Sequence, residues 1–170
     1  IGKYDVTEDL KEGGTFLLNC PWTEDELETR LTGKIKRDLA KKHINFYIID
    51  AAKIAAEIGL GKRTNNVLQG AFFAKVIPMD VAEEDMKRNN YNSYFKKAGQ
   101  KIVDLNNKAV DLGISAAVKI NIPAEWATAE DTPAAMPKNA TPFVRDIVVP
   151  MDRQMGDKLP VSVFQKYGVL

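Results

Sequence analysis

Residues 13–19 read GGTFLLN, a short apolar run that follows a pair of glycines and stops before Pro21. A run of this length between such residues predicts a buried strand. Residues 44–49 (INFYII) form a second run of the same kind. Residues 116–122 (AAVKINI) alternate in polarity and end before Pro123, which predicts a third strand.

Helical patterns separate the three strands. Thr23 and Glu26 have the spacing of a capping box, and Asp50 stands as an N-cap before the apolar positions Ala51 and Ala55. Apolar residues at helical spacing predict two longer helices. Their expected buried faces are Val67, Leu68, Ala71, Phe72 and Val76 in the first and Ile102, Leu105, Ala109 and Leu112 in the second.

This strand–helix–strand order predicts an α/β fold with a Rossmann-like parallel sheet flanked by helices. Sheets usually have about five or six strands, so a sheet of three is expected to be incomplete. From residue 124 the pattern changes, and residues 127–142 are rich in Ala, Thr, Pro, Glu and Lys without periodicity. We therefore expect a domain over residues 1–123 and an extended linker over residues 124–170.

Charge and composition argue against several classes of partner. The 170 residues carry 24 basic and 23 acidic side chains, a net charge of +1, so we expect no nucleic-acid partner. No apolar run approaches the ~18 residues of a membrane span, and the first residues lack the pattern of a signal peptide. One cysteine, Cys20, and one histidine, His43, predict no metal site and fit a cytoplasmic location.

Motifs of independent catalysis are absent from the sequence. Gly59-Leu60-Gly61 lacks the third glycine of a dinucleotide fingerprint, because Lys62, Arg63 and Thr64 follow. Walker A, Gly-x-Ser-x-Gly, His-Glu-x-x-His and Cys-x-x-Cys patterns do not occur. We therefore assign no catalytic residue and do not expect the isolated chain to be active.

Two asparagine-containing positions stand out. Residues 61–66 (GKRTNN) place two cations and short polar side chains at the entrance of a helix, where free amides favour a phosphate. The alternative is an ordinary N-cap by Thr64 or Asn65. Asn106 and Asn107 lie inside the predicted helix near residue 105, either as a ligand site or as an exposed polar face.

The same stretches resemble the pyruvate:ferredoxin/flavodoxin oxidoreductases. The resemblance is carried by GGTFLLN with Pro21-Trp22, and by residues 45–63 (NFYIIDAAKIAAEIGLGKR), 65–73 (NNVLQGAFF), 101–113 (KIVDLNNKAVDLG) and 141–164 (TPFVRDIVVPMDRQMGDKLPVSVF). It implies that residues 1–123 are part of the gamma-type, coenzyme A-side domain. Residues 124–170 would lead toward a ferredoxin-like cluster domain.

The family resemblance also implies cofactors and partners. The parent enzyme would use thiamine diphosphate, Mg and 4Fe-4S clusters, held by other parts of its chain, to convert pyruvate and coenzyme A to acetyl-coenzyme A. Its partners would be ferredoxin or flavodoxin, and it would be a homodimer. The alternative role for this piece is a structural module that packs subunits and docks the cluster domain.

Coenzyme A binding is the one residue-level role that the resemblance carries over. It assigns Asn65, at the helix entrance, and Asn106, in the Lys-Ile-Val-x-x-Asn pattern, as coenzyme A-binding residues. Asparagine is doubled at both places, so Asn66 and Asn107 are the neighbouring alternatives, and position 66 departs from the Thr more common in the family. An amide suits such a ligand because it both donates and accepts hydrogen bonds.

Overall fold

The computed structural model describes residues 4–76, 79–131 and 136–168, with only the backbone at residues 79 and 80. Within these residues, three strands form one sheet in the order β1-β2-β3: β1 Thr15–Asn19, β2 Asn45–Ile49 and β3 Val118–Ile120. β1 and β2 are parallel, with Thr15 opposite Asn45 and Asn19 opposite Ile49. This confirms the predicted α/β class and the small, incomplete sheet.

The prediction of an entirely parallel sheet is wrong for β3. This strand pairs antiparallel with β2, with Phe46 opposite Ile120 and Ile48 opposite Val118. Four helices lie between β2 and β3 in the described residues, and β3 runs beside β2 in the opposite direction. The sheet is therefore mixed.

Eight α-helices surround or follow the sheet in the described residues. Their bounds are α1 Glu24–Arg30, α2 Gly33–Lys41, α3 Ala51–Glu57, α4 Asn65–Val76, α5 Met79–Ala98, α6 Gln100–Ala116, α7 Val149–Asp152 and α8 Val161–Lys166. The predicted capping box is confirmed at the start of α1, where the Thr23 amide donates to Glu26 at 2.9 Å. Asp50 caps α3 by accepting from the Lys53 amide at 2.9 Å. None of these helices is long and apolar enough to cross a membrane.

Two apolar clusters cover the two faces of the sheet. Side chains alternate along a strand, so Phe16 and Leu18 join one cluster while Leu17 joins the other. The first cluster lies under α1 and α2, with buried members Cys20, Leu27, Leu31, Ile35, Leu39, Ile44, Phe46, Ile48, Ile120 and Trp126. The second lies under α3, α4 and α6, with buried members Ile49, Ala51, Ala55, Leu60, Val67, Ala71 and Ala109.

Two glycines allow α4 and α6 to pack closely. A Cβ added at Gly70 would lie 2.6 Å from the Val110 carbonyl oxygen, and a Cβ at Gly113 would collide with the Val67 carbonyl oxygen. Both distances are shorter than a van der Waals contact, so only glycine fits between the two backbones. This close contact sets the distance between polar residues that α4 and α6 carry.

The segment after residue 123 is not extended throughout. It contains 3-10 helices at Ala124–Thr128 and Gly156–Lys158, a π-helical turn at Val144–Val148, and α7 and α8. Trp126 is 3% exposed in the first cluster, and its indole N–H donates to Glu28. Arg37 of α2 pairs with Asp131 at 2.5 Å. Residues 124–131 therefore pack on α1 and α2, and the division of the chain at residue 123 stays a prediction.

Candidate functional site

The entrance of α4 is open to solvent. Gly59 and Gly61 have φ angles of +85° and +60°, and they turn the chain from α3 into the loop that leads to α4. Lys62, Arg63 and Asn65 are all exposed there. A helix entrance with accessible amides and two nearby cations has the chemistry of an anion site.

The helix at this entrance begins through a backbone hydrogen bond of Thr64 and not through a side-chain cap. The Thr64 carbonyl accepts from the Leu68 amide at 3.0 Å, which makes Thr64 the first residue in the helical bond pattern. Among the described residues, no hydrogen bond joins the side chain of Thr64 or Asn65 to an amide of the first turn. The Asn65 amide group is therefore not engaged in holding the helix end.

Four asparagines form a hydrogen-bond chain beside this entrance. Asn66 Nδ2 donates to Asn106 Oδ1 at 2.6 Å and to Asn90 Oδ1 at 3.1 Å. Asn90 Nδ2 in turn donates to Asn107 Oδ1 at 3.1 Å. These hydrogen bonds join α4, α5 and α6. The side-chain amides supply donors and acceptors to one another, which lowers the cost of burying them.

Asn106 is buried, so the reading of residues 106 and 107 as an exposed polar face is wrong for Asn106. It is 4% exposed, and its Nδ2 donates to the Ile102 carbonyl at 2.7 Å. The buried face of α6 is rotated from the predicted stripe; its buried residues are Val103, Asn106, Ala109, Val110 and Gly113. Polar Asn106 and lone Gly113 concealed this face in the sequence.

The two predicted coenzyme A residues have different settings. Asn65 is exposed at the entrance, while Asn106 is buried one helix away with its amide nitrogen and oxygen both engaged. No described hydrogen bond joins Asn65 to Asn106; Asn66 makes the contact with Asn106 instead. Sequence reasoning missed Asn90, which is 5% exposed within a polar stretch of α5 and gave no periodic signal.

The other two candidate groups, Cys20 and His43, lie in the first apolar cluster and on the surface, respectively. Cys20 is 6% exposed, and burial raises the pKa of its thiol, which disfavours a nucleophilic thiolate. His43 is exposed at the end of α2 and pairs with Glu12 at 2.8 Å. Across the described parts of the chain, no three His, Cys, Asp or Glu side chains are grouped to hold a metal ion.

Comparison with known proteins gives two family matches. A family model described as pyruvate ferredoxin/flavodoxin oxidoreductase matches residues 2–116. A second model, described as a domain of unknown function, matches residues 129–170.

Curated proteins match nearly the whole chain. A pyruvate-flavodoxin oxidoreductase of Enterobacter agglomerans is 48% identical over 166 residues, which are 96% of this chain and 14% of that protein. A pyruvate:ferredoxin oxidoreductase of Moorella thermoacetica is 44% identical over 171 residues, 99% of this chain and 14% of that protein. A pyruvate dehydrogenase (NADP(+)) of Cryptosporidium parvum is 37% identical over 199 residues, covering all of this chain and 10% of that protein. The chain thus spans only a small part of each relative.

Proposed function

This chain belongs to the pyruvate ferredoxin/flavodoxin oxidoreductase family, and we propose that it is the part of such an enzyme that helps to bind coenzyme A. The parent enzyme oxidatively decarboxylates pyruvate to acetyl-coenzyme A and passes electrons to ferredoxin or flavodoxin. Thiamine diphosphate, Mg and 4Fe-4S clusters belong to its other parts. The lone buried Cys20 accords with a reducing, cytoplasmic compartment, and we propose a homodimer there.

The exposed entrance of α4 is the observation that carries the proposal. Asn65 lies there next to Lys62 and Arg63, and the Asn66–Asn106 bond fixes this first turn against α6. The helix dipole and the two cations favour a phosphate group, and the Asn65 amide adds a directed donor. The residues present therefore fit the phosphate-bearing end of coenzyme A.

The two predicted asparagines take different roles in this proposal. Asn65 contacts the ligand directly because its side chain is exposed. Asn106 is a positioning residue, since it is buried and holds Asn66, the neighbour of Asn65. Together they orient the ligand so that its thiol can react at a site formed by other parts of the enzyme. This contribution is one of proximity and not of acid–base catalysis.

Titration calorimetry of coenzyme A into the full-length enzyme tests this role. Asn65→Ala is expected to weaken binding about 10-fold, because a hydrogen bond to a charged group is lost. Gln69→Ala is the matched control, since Gln69 is an exposed amide one turn further along α4. Equal affinities for Asn65→Ala, Gln69→Ala and the unsubstituted enzyme would refute direct contact by Asn65.

A structural role is the second candidate. The Asn106 side chain is hydrogen-bonded to protein groups through both its amide nitrogen and its amide oxygen. Large apolar side chains are exposed on α4 and α5: Phe72, Val76, Val81, Tyr91 and Phe95. Exposed apolar surface of this kind favours contact with other parts of an assembly. Loss of the dimer or of cluster-domain docking on deletion of the segment, with unchanged coenzyme A affinity in Asn65→Ala and Asn106→Ala, would favour this candidate.

A further inference from the structure

Helix α5 is attached to the fold through one narrow face. Among the side chains that the structure describes on this helix, only Met86 and Asn90 are buried, at 8% and 5% exposed. They are four positions apart and therefore lie on the same face. Lys87, three positions before Asn90, pairs with Asp111 of α6 at 2.7 Å. One of the two buried side chains that anchor this helix of 20 residues is thus polar.

A buried asparagine is a costly anchor for a helix. Asn has a lower helix propensity than Leu or Met, and its amide loses hydrogen bonds to water on burial. At Asn90 this cost is offset, because both ends of the amide have protein partners. The Oδ1 of Asn90 accepts from Asn66 Nδ2, and its Nδ2 donates to Asn107 Oδ1, each at 3.1 Å. Asn90 therefore connects α5 to both α4 and α6.

The bond between Asn66 and Asn90 completes the hydrogen bonding of one amide nitrogen. A side-chain amide nitrogen carries two N–H donors. Asn66 Nδ2 has two acceptors, Asn106 Oδ1 at 2.6 Å and Asn90 Oδ1 at 3.1 Å. Two acceptors on different helices fix the orientation of the amide, whereas a single acceptor would leave the amide free to turn about that bond. Asn66 lies in the first turn of α4, next to the exposed Asn65.

We propose that Asn90 is a positioning residue for the coenzyme A site at the entrance of α4. Asn90 holds Asn66 from α5 while Asn106 holds it from α6, so the first turn keeps Asn65 and the free amides directed at the ligand. A displacement of about 1 Å at such contacts is enough to weaken them. This inference rests on the proposed function, because it gives Asn90 a role in binding only where the α4 entrance takes up coenzyme A.

Steady-state kinetics of the full-length enzyme, with coenzyme A as the varied substrate, tests this role. Asn90→Leu removes both hydrogen bonds of the side chain at a similar size. We expect it to raise the KM for coenzyme A about 5-fold, the effect of one lost hydrogen bond. The kcat at saturating coenzyme A and the KM for pyruvate should stay unchanged, because the role of Asn90 is confined to the α4 entrance. Circular dichroism verifies that each variant is folded at the assay temperature.

Two further variants separate the amide contact from a loss of folding. In Asn90→Asp the carboxylate still accepts from Asn66, and the Asn107 amide can turn to donate its Nδ2. This variant should keep the KM for coenzyme A within about 2-fold of the unsubstituted enzyme. Asn90→Ser replaces Asn90→Leu where the latter does not fold, since the shorter side chain remains polar but does not reach Asn66. An Asn90→Asp variant as impaired as Asn90→Leu or Asn90→Ser would overturn the proposal.

Lys87→Met is the matched control on the same helix. It removes the ion pair with Asp111 and leaves the hydrogen bonds between the asparagines in place. The KM for coenzyme A should therefore be unchanged in this variant. A KM raised as much in Lys87→Met as in Asn90→Leu would attribute the effect to the general attachment of α5 and would overturn the role of Asn90.

Asn65→Ala, assayed in parallel, distinguishes this inference from the proposed function. A raised KM for coenzyme A in Asn65→Ala with an unchanged KM in Asn90→Leu would overturn the role of Asn90 and leave the site itself supported. Unchanged KM values in both variants would overturn the site and, with it, the role of Asn90. A raised KM in Asn90→Leu alone would support the role of Asn90 and refute direct contact by Asn65.

Discussion

Asn66 of α4 donates a 2.6 Å hydrogen bond to Asn106 of α6, across the helix pair that Gly70 and Gly113 bring together. The same Asn106 donates at 2.7 Å to the Ile102 carbonyl one turn earlier. A buried amide satisfied on both sides stabilises a single arrangement of two helices. The buried Asn106 thus helps to position the exposed helix entrance at Asn65, although it lies 40 positions after Asn66 in the sequence.

Replacement of Asn106 is expected to destabilise the chain. Asn106→Ala leaves the Nδ2 of Asn66 without its closer acceptor and opens a small cavity between α4 and α6. We expect a loss of about 1–3 kcal/mol in the free energy of unfolding, measured by urea denaturation. Asn65→Ala, at an exposed position, is the control and should change stability by less than about 0.5 kcal/mol. Similar stabilities for the two variants would contradict a positioning role for Asn106.

The close contact of α4 and α6 should not tolerate a methyl group. Gly113→Ala and Gly70→Ala each place a Cβ against a carbonyl oxygen of the facing helix, and the approach is closer at Gly113. We expect losses of about 1–3 kcal/mol by thermal or urea unfolding, larger for Gly113→Ala, despite the better helix propensity of alanine. Ser115→Ala, at an exposed position of α6, serves as the control. A stabilised Gly113→Ala variant would show that the helices can separate without cost.

Acid should weaken a buried contact between the N-terminal segment and α2. Thr7 is fully buried and donates to Asp38 at 2.6 Å, and Lys34 also contacts this carboxylate at 2.6 Å. Burial alone would raise the pKa of Asp38, but the bonds from Lys34 and Thr7 hold the pKa below its ordinary value of 3.8. The folded pKa is depressed, so this stabilisation is complete above about pH 4 and is lost as the pH falls through the lowered folded value.

Thr7→Val tests this pH dependence. The variant keeps the shape of the side chain but cannot donate to Asp38, so we expect it to lose about 1–2 kcal/mol at pH 7 and less at pH 3. The comparison is made by urea denaturation at both pH values, with Thr7→Ser as the control that retains the hydroxyl. Equal losses at the two pH values would attribute the effect to packing and not to the carboxylate.

Trp126 should contribute more to stability than its position in an Ala- and Pro-rich segment suggests. Trp126→Ala removes a side chain that is 3% exposed, and we expect a loss of about 3 kcal/mol or more. Trp126→Phe keeps a ring but loses the bond to Glu28, so its loss should be smaller, about 1–2 kcal/mol. Far-UV circular dichroism in urea measures both, with the half-buried Trp22→Ala as the comparison. A Trp126→Ala variant no less stable than Trp22→Ala would contradict the anchoring of residues 124–131.

Local chemistry made part of this fold predictable. The runs at residues 15–19 and 45–49 became strands, and the Thr23–Glu26 and Asp50 caps began helices, because each signal depends on neighbours in the chain. The direction of β3 was not predictable, since alternation specifies which side chains face the core and carries no information on which way the strand runs.

The candidate site was predictable only in its exposed half. Residues 61–66 carried a visible helix-entrance pattern, whereas the burial of Asn106 and Asn90 depends on contacts between helices that are distant in sequence. Gly70 and Gly113 allow the close contact of α4 and α6, but a glycine inside a helical pattern does not specify which backbone it contacts. Their partners, Val110 and Val67, could be identified only from the packed structure.

The burial of Trp126 limits how segments of related enzymes can be recombined. Its indole bonds to Glu28, and its ring lies 5.7 Å from the ammonium of Lys36. A chimera joined at residue 123 would combine the tryptophan of one parent with the pocket of the other. A chimera should therefore take Glu28, Lys36 and Trp126 from the same parent. A junction after Asp131 also retains the ion pair between Asp131 and Arg37.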